Sequence, residues 1–150
     1  MLRENFTSEL KTAMKAGDKR RVETIRMITA ALKDKDIEAR TSAKEVTEDD
    51  ILALLQKLVK SRQESMEIYD KNGRPELAEK EREEIAIITT FLPQPMSEAE
   101  VDAAIKAVIA ETGAASIKDM GKVIALLKAA YSGKMDFAKV SGQVKAALAG

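Results

Sequence analysis

The chain has 150 residues, with 25 basic and 25 acidic side chains and no Cys, His or Trp. Those absences exclude disulfides, Cys and His zinc sites, a thiol nucleophile and the commonest general base, and the balanced charge excludes a chain-wide field toward nucleic acid or membrane. No apolar run reaches the roughly 18 residues of a membrane span, and MLRENFTSEL lacks the apolar core of a signal peptide, so the sequence predicts a cytoplasmic protein with no membrane partner.

Alanine, leucine, isoleucine, lysine and glutamate dominate, with only five Phe or Tyr and three Pro. This mixture favours helix over sheet, so the expected fold is all-α. Leu2, Phe6, Leu10 and Met14 form the stripe of a first helix that should stop at Ala16-Gly17, and Asp18 can cap the next. The second helix carries Val22, Ile25, Ile28 or Thr29, and Leu32 inward. Its pattern fades through DKDIEARTSAKE, read as a frayed end and polar loop. Thr47-Glu-Asp-Asp50 then caps a long helix with Ile51, Leu55, Leu58, Val59, Met66 and Tyr69 inward. Asn72-Gly73 breaks it, Pro75 opens a successor carrying Leu77, Ile85, Ile88 and Leu92, and Pro93 and Pro95 stop that.

The predicted N-terminal subdomain, residues 1–93, is thus a helical bundle built on a long antiparallel hairpin. Ser97-Glu-Ala-Glu100 is a capping box that starts a second subdomain, residues 97–150. Three short helices are expected there, at about 98–111, 117–131 and 136–148. Their inward residues include Val101 and Ile105, Val123 and Leu127, and Val140 and Val144.

The stretch KSRQESMEIYDKNGRPELAEKEREEI looks like a site, because arginines and glutamates recur through it. Reflected about Gly73, however, its residues pair off: Tyr69 faces Leu77, Ser65 faces Glu81, Arg62 faces Glu84 and Leu58 faces Ile88. Most of its charge then reads as the rim of a hairpin, each exposed pair worth about 0.3–1 kcal/mol. From Glu45 to Glu84 there are twelve acids against seven bases, a poor match for a phosphate backbone. No metal-ligand spacing and no nucleophile-and-base pair emerges, so no metal, cofactor or catalytic residue is expected.

Positive charge lies downstream. From Gly113 to Gly150 the bases are Lys118, Lys122, Lys128, Lys134, Lys139 and Lys145, and the acids only Asp119 and Asp136. Lys118 and Lys122 are four apart, which places them on one helix face at an N-terminal end where backbone N–H groups favour anions. Gly121 beside them would admit another backbone closely. Without arginine or exposed aromatic stacking groups, the expectation is backbone and shape contact with folded RNA rather than base reading. A second cluster, Lys19-Arg20-Arg21 with Arg26, opposes the dipole at the start of the second helix, which favours a binding role over packing.

The order of motifs KxxKxRxES (Lys57, Lys60, Arg62, Glu64, Ser65), GRPELAEKEREE, FLP, IKDMGKVIALLK and KVSGQVKAAL resembles the GatB/YqeY family, specifically its free-standing YqeY-like proteins, over essentially the whole chain. It departs at FLP, where a tyrosine more often precedes Leu-Pro, and at VIALLK in place of VMGALK. In that family the same subdomains form the tail of the B subunit of the tRNA-dependent amidotransferase, which contacts tRNA while the chemistry lies elsewhere. The resemblance implies a non-catalytic accessory module for tRNA or another structured RNA, with Lys118, Gly121, Lys122 and Lys128 touching RNA. Arg62, Glu64, Arg74, Glu81 and Glu84 match the hairpin motif. One alternative is an adaptor that docks a partner protein through the acidic hairpin. Another is a carbon–nitrogen ligase using glutamine as amido-N-donor.

Overall fold

The computed structural model describes residues 1–149 and is all-α, as the composition predicts, with no strand among those residues. Two compact units divide the chain, Met1–Pro93 and Gln94–Gly150.

The first unit holds α1 (Leu2–Ala16), α2 (Lys19–Thr41), α3 (Glu48–Lys71) and α4 (Pro75–Thr89). Gly17 ends α1 in the left-handed conformation, φ 69°, which a residue without Cβ adopts without strain. Asp18 accepts from the Arg21 N–H to start α2, and Thr47 and Asp50 exchange hydrogen bonds to start α3. The core gathers Leu2 and Phe6 from α1, Ile25, Ile28 and Leu32 from α2, Ile51, Leu54 and Leu55 from α3, Ile88 from α4, and Phe91. Phe6 and Phe91 meet edge to face at 4.9 Å, a geometry that adds about 0.5–1.5 kcal/mol to the area they bury.

Two expectations need correction. The α1 stripe drifts by one residue at its end, so that Ala13 is buried and Met14 is 52% exposed. The reason is the 3.6-residue period: strict steps of four from Leu2 rotate the face away from the core. The segment read as a frayed end is helical to Thr41. Apolar packing stops at Leu32, but Arg3 of α1 holds Asp36 with two hydrogen bonds, at 2.9 and 2.6 Å. A bidentate pair across two helices supports a stretch that has no stripe of its own.

The second unit holds α5 (Glu98–Thr112), a 3-10 turn (Ile117–Asp119), α6 (Met120–Tyr131) and α7 (Phe137–Ala149). Ser97 and Glu100 form the capping box of α5. Val101, Ala104 and Ile105, Val123 and Leu127, Met135, and Val140 and Val144 make a separate core. Met96, just after Pro95, donates its N–H to the Lys134 carbonyl at 3.1 Å, which ties the entry of this unit to the α6–α7 connection.

Candidate nucleic-acid interface

The KDMGK segment is built from its buried residues outward. Val123 and Leu127 are fully buried and Met120 half-buried, which fixes the inward side of α6. Ahead of the helix, Asp119 Oδ2 accepts from the N–H groups of Ala115 and Ser116, at 3.1 and 3.4 Å, and tightens the chain into the 3-10 turn. Lys118 lies in that turn, while Gly121 and Lys122 belong to the first turn of α6, and all three are exposed. The expectation that Lys118 and Lys122 share a regular helix face is therefore corrected. A 3-10 turn winds at about three residues per turn, so four residues across the junction do not keep the α-helical offset.

Neither Lys118 nor Lys122 forms an ion pair among the described residues. Two cations at a helix N-terminus oppose its dipole, an unfavourable arrangement for the isolated fold and a favourable one for an approaching anion. A Cβ added at Gly121 would meet nothing within 4 Å. Packing inside the chain thus gives no reason for a glycine that costs helix stability relative to alanine. Gly142, within α7, is open in the same way, and the sequence signal for it is a glycine inside the helical pattern KVSGQVK. Lys128 stands apart from the pair, with its ammonium 5.8 Å from the Phe137 ring centroid.

The hairpin residues are used differently. Arg62 meets Glu84 at 2.9 Å, and both side chains are only 17% exposed. The same guanidinium donates to the Leu58 carbonyl at 3.1 Å and to Met27 Sδ of α2 at 3.3 Å, so it joins three helices. Arg74 reaches Glu76 at 4.0 Å in solvent, and Arg82 pairs with Glu79. Glu64 is exposed, Glu81 half-buried, and neither forms an ion pair among the described residues.

In the basic cluster at the start of α2, Arg20 and Arg21 are engaged within the fold, whereas Lys19 and Arg26 form no ion pair among the described residues. Arg20 pairs with Glu83 at 3.0 Å and Arg21 with Glu9 at 2.9 Å. The Arg21 guanidinium also lies 5.9 Å from the Phe91 ring centroid. These partners come from α1 and α4, and they offset the dipole cost that the local sequence displays.

Perturbed acids cluster at helix starts and clamps. The hydrogen bond from Arg3 lowers the Asp36 pKa, that from the N-terminal ammonium lowers Glu48, and backbone N–H groups of Thr47 and Ser97 lower Asp50 and Glu100. A cavity of about 400 Å³ opens between the end of α2 and the start of α3. Its lining sets Lys35, Lys44 and Lys57 against Glu38, Glu45 and Asp50 over Val46 and Leu54, so it offers a polyanion no net charge. No group of His, Cys, Asp and Glu that could hold a metal ion occurs among the described residues.

The sequence profile of the family described as Yqey-like protein matches residues 3–148. The chain belongs to the YqeY-like family. Among relatives of this YqeY-like chain is "Altered inheritance of mitochondria protein 41, mitochondrial" of Lachancea thermotolerans, 39% identical over 109 residues, which are 71% of this chain and 57% of that protein. The protein of the same name from Kluyveromyces lactis is 32% identical over 144 residues, 94% of this chain and 72% of its own. That from Vanderwaltozyma polyspora is 36% identical over 84 residues, 56% and 44%. The chain therefore spans about half the length of the Lachancea thermotolerans and Vanderwaltozyma polyspora proteins. These names overturn the cytoplasmic expectation, because the relatives are named as mitochondrial proteins. The physical reason is plain: lacking cysteine, and having no described helix long and apolar enough to cross a membrane, fits any aqueous compartment and discriminates none.

Proposed function

We propose that this YqeY-like chain is a non-catalytic module that binds tRNA or another structured RNA through phosphate contacts from its second unit. The observation that carries the reading is the pair Lys118 and Lys122, exposed and without a carboxylate partner among the described residues, around a glycine whose backbone lies open. The excess of six bases over two acids from Gly113 to Gly150 supports it, as does the resemblance to the tail of the amidotransferase B subunit. Contacts of this kind position a folded RNA by its backbone and carry little base specificity. Lys128, exposed further along α6, adds charge.

The test is a tRNA titration followed by fluorescence anisotropy at low salt. Wild-type protein should bind, and the double variant Lys118→Glu, Lys122→Glu should lose most of that affinity while keeping its helical circular dichroism. Equal binding by both proteins would refute the reading. The adaptor reading gains support from one observation, Ile68, which is 57% exposed on α3 near the hairpin turn. Loss of a co-purifying protein on changing Ile68→Asp, with tRNA binding intact, would favour that alternative.

A further inference from the structure

The chain holds two asparagines, Asn5 followed by Phe6 and Asn72 followed by Gly73. Asn5 lies in the first turn of α1, and its neighbour Phe6 is 1% exposed in the core. Asn72 is the exposed residue that ends α3. Gly73 after it has φ 67° and open space where a side chain would stand. The Gly73 N–H reaches the Asp70 carbonyl only at 3.4 Å, long for a backbone hydrogen bond. The amide nitrogen next to Asn72 is therefore weakly held and unshielded.

We infer that Asn72 is a spontaneous deamidation site, converting to aspartate and isoaspartate in the hairpin turn. A base removes the Gly73 amide proton, the nitrogen bonds to Asn72 Cγ, and the Cγ–Nδ2 bond breaks as ammonia leaves. A five-membered succinimide remains. One water then opens it, giving aspartate when the new bond to Cγ breaks and isoaspartate when the original peptide bond breaks. The balance is one water consumed and one ammonia released, with no oxidant or reductant.

Geometry also sets the pace. The Asn72 ψ of 12° turns the Gly73 nitrogen away from the side chain, and the Arg74 N–H donates to the Tyr69 carbonyl at 2.8 Å across the turn. Reaction requires this last turn of α3 to open, a local event that needs no global unfolding. Asn5 has no such route, because freeing the Phe6 amide means lifting α1 from the core. The product places a negative charge at the C-terminal end of α3, where the dipole disfavours it. Isoaspartate also adds a methylene to the backbone of the turn that sets the register of Arg62 against Glu84.

The experiment ages the full chain at about 37 °C, at neutral and mildly alkaline pH, and follows both asparagine-containing peptides by mass spectrometry. Asn72 should gain about one mass unit, with part of the product accepting a methyl group from an isoaspartyl methyltransferase. Its rate should exceed that of Asn5 by about tenfold or more, because no side chain hinders the glycine nitrogen and the turn opens locally. The rate should rise with pH, and Asn72→Gln should abolish the gain. Conversion of Asn72 no faster than that of Asn5 in the folded chain would overturn the inference.

Discussion

In the α3–α4 hairpin the arginines meet carboxylates of the fold, whereas at the start of α6 Lys118 and Lys122 are exposed and form no ion pair among the described residues. Arg62 is held by Glu84, the Leu58 carbonyl and Met27, and Arg20 reaches across from α2 to Glu83. Lys118 and Lys122 have no such partner among the described residues. The hairpin is denser in charge, yet Arg62, Arg74 and Arg82 all have carboxylate partners within it. A sparser cluster left unsatisfied is the better candidate for binding, and net charge by segment pointed to it where charge density did not.

The comparison breaks first at Arg62. Arg62→Ala strands a half-buried Glu84 carboxylate and should destabilise the first unit by about 2–3 kcal/mol. Urea denaturation checks this, and Glu84→Ala in the same background should restore part of the loss through a coupling of about 0.5–3 kcal/mol. Lys118→Glu with Lys122→Glu should not destabilise the second unit, and should stabilise it by about 0.3–1 kcal/mol because acids suit the helix N-terminus. An equal loss in the two regions would erase the distinction between them.

Gly121→Ala sharpens it. No internal atom opposes the added methyl, so the second unit should gain about 0.5 kcal/mol from helix propensity, seen as a higher Tm. tRNA affinity should fall in the same variant, because the open backbone is filled. The smallest effect is that of pH on the clamps. Asp36, Glu48 and Asp50 have pKa values lowered by folding, so their contribution is complete above the unfolded carboxylate range near about 4. It is lost as pH falls through the folded values. Denaturation midpoints of the first unit should therefore drop between neutral pH and about pH 3, with Arg3→Ala removing part of the drop.

Much of the fold was legible because its signals are local. The Thr47/Asp50 and Ser97/Glu100 boxes and the glycines after α1 and α5 mark ends that short-range hydrogen bonding dictates. What stayed hidden depends on distant residues. Helix α2 runs on to Thr41 with Asp36 fastened to Arg3, thirty-three positions away, and Arg20 and Arg21 look surplus until Glu83 and Glu9 arrive. At the candidate site, the residues were visible as a charge excess, but the 3-10 turn under Lys118 depends on the Asp119 carboxylate folding back onto two N–H groups. Helical periodicity does not report such a turn.

The central claim, that unsatisfied lysines rather than dense charge make the binding surface, is tested most directly by the salt dependence of tRNA affinity. Removing one lysine–phosphate interaction should make the slope of log K against log salt shallower by about 0.7–0.9. The account predicts a slope shallower by nearly twice that amount for Lys118→Glu, Lys122→Glu, and an unchanged slope for Arg74→Glu, Arg82→Glu in the hairpin. A slope that flattens with the hairpin pair and holds with the lysine pair would contradict it.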